Sequence, residues 1–164
     1  MNELNLERIQ LFSPYFVIKE GNEYLFKTDY GIYYAVQFSQ ELSANKMKAY
    51  WFGLSNRSQK PSPNDPKVRG TIICIIEEFF RLNPDVLLYM CDNANDQQAM
   101  RSRLFLRWFH SYELNQLYYI QTAMVVEEDI PTYVAMIIQR SNPNLEEFVS
   151  LFKKEVEMFQ EHKP

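Results

Sequence analysis

Residues 64–112 read NDPKVRGTIICIIEEFFRLNPDVLLYMCDNANDQQAMRSRLFLRWFHSY. Asp65 followed by Pro66 is a helix start: an acidic N-cap side chain can accept free amide hydrogens, and proline suits the first helical position. The apolar positions Val68, Ile72, Ile75, Ile76 and Phe79 then recur at helical spacing. The run ends at Leu82, because Asn83-Pro84 disfavours further helix. Val86-Leu87-Leu88-Tyr89-Met90-Cys91 is a short apolar run of strand length, and a second helix is expected after Asp92-Asn93-Ala94-Asn95, capped by Asn95 or Asp96 and reaching Tyr112. Helix, strand, helix narrows the fold strongly, yet the stretch holds no complete catalytic motif.

Working outward, residues 15–54 alternate apolar and polar between turn signals, which predicts a meander of half-buried strands at Tyr15–Glu20, Glu23–Thr28, Ile32–Gln40 and Ala49–Leu54. Gly21-Asn22 and Asp29-Tyr30-Gly31 supply the hairpin turns. In the third strand Ile32, Tyr34, Val36 and Phe38 share one face, and Gly53 in the fourth suggests a bulge or a close backbone approach. Residues 55–63, with Pro61 and Pro63, read as an exposed loop. Beyond Tyr112 come strands at Tyr118–Val126 and Thr132–Arg140, joined through Glu127-Glu128-Asp129-Ile130-Pro131, and a helix from Leu145 to about Gln160.

The expectation is one α+β domain over residues 1–164. It comprises a strand meander (15–54), a helix-strand-helix (64–112), a hairpin (118–140) and a C-terminal helix (145–160), hence a mostly antiparallel twisted sheet of about six to seven strands flanked by three main helices.

Composition bounds the function. Forty-six per cent apolar and 15% aromatic residues suffice for one core, and a net charge of -4 argues against general nucleic-acid affinity. Cys74 and Cys91 sit in apolar runs and read as reduced core thiols. The first residues show no charged-then-apolar leader, and no run reaches the ~18 apolar residues of a membrane span, so a cytoplasmic protein is expected. Asn56-Arg57-Ser58 matches a glycosylation triplet by chance.

The last helix carries Leu145, Phe148, Val149, Phe152, Val156 and Phe159 as one stripe, with Glu146, Glu147, Lys153, Lys154 and Glu157 outside it, the pattern of a helix covering a sheet. In the second helix Met100, Leu104, Trp108 and Tyr112 line one side, and Arg103, Arg107 and His110 form a basic stripe. Arg101 falls inside the apolar arc and requires a carboxylate, Asp92 or Glu77, for a buried ion pair. No metal set emerges: the histidines are only His110 and His162, neither cysteine has a ligand at finger-like spacing, and Asp92–Asp96 lacks the later ligands of a calcium loop. There is no nucleophile elbow and no phosphate-binding P-loop.

Meander, helix, strand, helix and two strands, in that order, resemble the GNAT superfamily of N-acetyltransferases. In that superfamily the helix after the fourth strand receives the coenzyme A pyrophosphate on its N-terminal amides. Gly53 lies where that fold bulges its fourth strand, and Lys67-Val68-Arg69-Gly70-Thr71-Ile72 sits where it has a Gln/Arg-x-x-Gly-x-Gly/Ala loop. Asn95 and Ala99, with Leu104-Phe105 and Trp108-Phe109, resemble its Asn-x-x-Ala…Leu-Tyr…Gly-Phe run. The resemblance implies Lys67, Arg69 and Gly70 as cofactor-binding residues for acetyl-CoA. Ile72 replaces a small residue of that loop, however, and Phe105 stands where many members have the tyrosine that acts as general acid.

Residues 65–80, Tyr89–Asn93 and the run from Arg101 to Phe109 also resemble a family of small uncharacterised bacterial proteins, a domain of unknown function. The reading is therefore a non-catalytic cytoplasmic binding or interaction domain on a GNAT-like scaffold, with no resident cofactor or metal and no catalytic residue. Its partner would be a protein or small molecule, and an exposed aromatic sheet edge would permit a homodimer. The alternatives are an atypical N-acyltransferase using acetyl-CoA, and phosphate or nucleic-acid contact through Arg103, Arg107 and His110.

Overall fold

The computed structural model describes residues 1–41, 48–92 and 104–161. It is an α+β chain whose seven strands run in the order β1-β2-β3-β4-β5-β7-β6. Helix α1 spans Leu6–Phe12, β1 Val17–Glu20, β2 Glu23–Lys27, β3 Tyr33–Gln40, β4 Ala49–Asn56, α2 Pro66–Leu82 and β5 Val86–Asp92. Residues 104–109 are helical (α3), followed by α4 at Tyr112–Leu117, β6 at Tyr118–Glu127, β7 at Ile130–Gln139 and α5 at Leu145–Glu161. The chain gathers into two compact units, residues 1–40 with 51–84, and residues 41–50 with 85–164.

In the first unit β1, β2 and β3 form an antiparallel meander. Gly21 takes φ +60° in the two-residue turn closed by Glu20 opposite Glu23, a conformation that costs glycine nothing. The second turn uses Gly31 at φ +76° and the Thr28 hydroxyl, which accepts from the Tyr30 and Ile32 amides. Tyr24, Phe26, Tyr34, Val36 and Phe38 point to the buried face, as alternation predicts. Against them lies α2, its Phe79 ring stacked on Phe38 at 5.0 Å. Burying such rings is worth roughly 1.5–3 kcal/mol each, more than the ~1 kcal/mol net of a hydrogen bond, so the aromatic layer dominates this core. The Asn56 side chain accepts from Ser58 N at 3.0 Å and donates to Lys60 O at 2.9 Å, so the would-be glycosylation triplet is a turn device.

In the second unit β5, β7 and β6 are antiparallel, with Leu87 opposite Ile137 and Ile120 opposite that same Ile137. Val86 N donates to Lys48 O at 3.0 Å, which sets β5 beside the start of β4. The stripe on α5 is oriented as read: Phe148 and Phe152 are buried, while Glu146, Glu147, Lys153, Lys154 and Glu157 are exposed.

Several expectations shift. Helix α1 has no counterpart in the sequence reading; Asn5 caps it through Arg8 N. Tyr15 and Phe16 precede β1 rather than belong to it. The helix expected to run on to Tyr112 stops at a turn at His110, and α4 starts anew. On α3 the buried side chains are Phe105 and Phe109, whereas Leu104 is exposed, because the ring of Tyr89 lies 4.1 Å from Phe105 and that of Tyr118 5.8 Å from Phe109. The joint at 127–131 is shorter than expected, since only Glu128 and Asp129 lie outside strands, at φ +52° and +63°. Gly53 is exposed, and a Cβ there would meet Gln37 at an ordinary 3.9 Å, so no close approach requires glycine.

Candidate functional site: the N-terminus of α2

The first turn of α2 gathers polar groups from three places in the first unit. Asp65 caps the helix: its Oδ1 accepts from Lys67 N at 3.0 Å, and its backbone carbonyl accepts from Val68 N at 3.1 Å. The Tyr15 hydroxyl donates to the other Asp65 carboxylate oxygen and accepts from Asp29 N at 3.2 Å. The Lys67 ammonium reaches Asp29 Oδ2 at 2.8 Å and sits 5.6 Å from the centre of the Tyr15 ring. Beneath it, the Thr71 hydroxyl accepts from Tyr15 N at 3.2 Å and donates to Lys67 O at 2.8 Å. Ser62 meets the Tyr34 hydroxyl on the approaching loop.

Electrostatically this end of the helix already holds negative charge. Amides at a helix start attract an anion, and here Asp65 is that anion. Burial, reinforced by the hydrogen bond to Asp65, pushes the Tyr15 phenol up to about 12. Asp29 raises the Lys67 ammonium by its hydrogen bond and its charge. The arrangement therefore holds protons firmly and presents an exposed ion pair, Lys67 with Asp29, to solvent.

The residues 67–72 all lie within α2 rather than in a loop. Lys67 is exposed and paired; Arg69 and Gly70 are half-buried. A Cβ on Gly70 would stand 2.9 Å from Pro14 Cγ, so what glycine permits here is the seating of Pro14 on the helix. Of the basic stripe, Arg107 and His110 are exposed, and Arg103 lies outside the described residues. So do Arg101, Asn95 and Asp96, together with the side chain of Asp92, which leaves that ion pair and that cap as expectations.

Phe105 is 1% exposed among Tyr89, Trp108 and Phe109, an aromatic cluster, and its own ring has no group to give a proton. Cys74 is a free, half-buried thiol raised by burial and by Glu77. Among the described residues no cluster of His, Cys, Asp or Glu could hold a metal, and no helix is long and apolar enough to cross a membrane. Sequence reasoning missed Tyr15 and Asp29 as neighbours of Lys67, because only the fold brings these distant positions together; Asp29, in the turn that ends at Gly31, offered no signal for it.

The family model of a family of unknown function, DUF6169, matches residues 64–154, more than half of the chain. No curated protein and no solved structure matches it.

Proposed function

Since the chain belongs to that family of unknown function, we propose that it is a non-catalytic binding or interaction protein whose element order is GNAT-like. The observation that carries this reading is the self-capped start of α2: the Asp65 carboxylate sits on the Lys67 amide where a pyrophosphate would have to sit. An incoming anion would have to displace Asp65 and meet Asp29, at an electrostatic cost that Lys67 alone does not offset. The buried Phe105 ring supports the same view, since it provides no general acid.

Titration with coenzyme A and acetyl-CoA tests it. A ligand at 100 times its dissociation constant would stabilise the fold by ~2.7 kcal/mol, so the expected result is an unmoved melting temperature at millimolar ligand. Acetylation of an amine from acetyl-CoA at ordinary turnover would overturn the proposal in favour of an atypical N-acyltransferase using Lys67, Arg69 and Gly70. Phosphate or nucleic-acid contact through Arg107 and His110, with Arg103, would instead appear as heparin retention that falls steeply with salt.

A further inference from the structure

From the first unit we infer that this protein associates with a second copy of itself through the apolar tip where α1 turns into β1, formed by Leu11, Phe12, Phe16 and Ile18. Their exposures carry the inference: 70%, 82%, 73% and 43%. Phenylalanine is ordinarily among the most buried residue types, so two rings more than two-thirds open within five residues mark a surface that something covers.

The tip is a fixed display. Ser13 N donates to Ile9 O at 3.0 Å and the Ser13 hydroxyl to Tyr15 O at 2.6 Å. Tyr15 N donates to the Thr71 hydroxyl at 3.2 Å, and Pro14 rests on Gly70. Gln10 donates to Val17 O and accepts from Val17 N, which holds the end of α1 against the start of β1. The backbone on either side of both rings is therefore pinned with the rings outward, and contact requires little further ordering of the chain.

Charge and area select the occupant. From Ile9 to Ile18 ten residues carry no charge, on a chain of net charge -4. The cations that flank this run are engaged within the fold, Arg8 with Glu78 and Lys19 with Glu3, while Glu7 and Glu20 are exposed. An anionic lipid or nucleic acid finds no cation to recognise within the tip, whereas a second copy brings an equally neutral surface. Because Gln10 lies on Val17 and Glu3 on Lys19, the charged residues gather at the end of the α1–β1 pair away from Phe12. Two copies meeting tip to tip thus hold their acidic ends apart, the neutral centre and charged rim of an ordinary interface. At the exposures above, the four residues offer about 500 Å² per copy, on a scale of roughly 150–250 Å² for a buried aromatic side chain. Facing its own image, the patch buries on the order of 1,000 Å², the lower bound of a specific interface, so the dimer is a weak one. The inference is independent of the reading of α2: a chain that turned over acetyl-CoA would lose that reading and keep this one.

The test uses the full chain. Light scattering behind size exclusion over a concentration series is expected to show a dimer that dissociates on dilution and persists at high salt, since screening relieves repulsion between like-charged copies. Phe12→Glu and Phe16→Glu each set like charges across the contact and are expected to raise the dissociation constant roughly tenfold or more, with circular dichroism unchanged because both rings are exposed. Leu117→Glu, at a side chain 55% exposed in the second unit, is expected to leave the dimer intact. In the wild-type chain the methyl resonances of Leu11 and Ile18 are expected to shift with concentration and those of Leu117 to stay in place. A chain monomeric at all concentrations, a dimer that survives both glutamate variants, or one whose Leu11 and Ile18 methyl signals do not move would overturn the proposal. A monomer that floats with phosphatidylcholine vesicles would also overturn it, and would assign the tip to a lipid surface.

Discussion

Strand β1 is four residues long, carries Lys19 and Glu20, and has the Gln10 side chain clipped along it: Gln10 donates to Val17 O at 2.5 Å and accepts from Val17 N at 3.1 Å. Strand β6 is ten residues long and neutral up to Val126. One outer strand has a side-chain amide imitating a neighbouring strand, and the other is a run of uncharged residues. The difference teaches that sheet ends need separate explanations, because a short charged strand closed by one side chain and a long neutral strand satisfy their backbone groups in different ways.

The comparison can be broken most severely from beneath β6. Phe109 is 1% exposed and supports the Tyr118 ring, so Phe109→Ala should cost about 3–5 kcal/mol in urea unfolding through the cavity it leaves; a change below 1 kcal/mol would mean that the second unit does not rest on that ring. Next comes the clip itself. Gln10→Ala removes two hydrogen bonds at ~0.5–1.5 kcal/mol each, so a loss of about 1–3 kcal/mol is expected, together with greater aggregation by light scattering. Unchanged melting and solubility would show that Gln10 is ornamental.

The two hairpin turns sharpen it further. Glycine occupies the positive-φ position before β2, while Glu128 and Asp129 hold positive φ before β7 with no glycine to relieve them. Replacing the pair by Asn-Gly, the residues such turns favour, should stabilise by roughly 1–2 kcal/mol, and Gly21→Ala should destabilise by about 1 kcal/mol; denaturation midpoints with unchanged m-values check both. The remaining effect is a pH dependence at the anchor leading into β1. The folded chain holds the Tyr15 proton to about 12 against an ordinary 10.0, so the associated stability is complete below pH 10 and disappears as pH rises from 10 to about 12. Tyr15→Phe should flatten the stability profile over that interval, and a profile identical to wild type would remove Tyr15 as its source.

Where hydrophobic period and local punctuation agree, the chain is readable from its residues. Asp65-Pro66 opens α2 and Leu82 closes it, and Ile32 through Phe38 alternate as read, except that Ala35 is buried on its own face as well. Helix α1 escaped because seven residues with Leu11 and Phe12 on its exposed side present no apolar stripe; Asn5 was its one signal. The face of α3 was misread because Leu104 and Phe105 are both apolar, and only the position of Tyr89 decides between them. The candidate site was legible as a cap and no further: Lys67 is visible as a cation near a helix start, while Asp29 and Tyr15 are supplied by tertiary folding.

Gly70 lies under Pro14 with no room for a methyl group. In an ordinary helix, replacing glycine by alanine gains about 1 kcal/mol, an improvement that consensus engineering would accept without hesitation. Here that route is closed unless position 14 changes in the same step, so these two sites constrain each other's history: a larger residue at 70 must arrive with a smaller one where the chain enters β1.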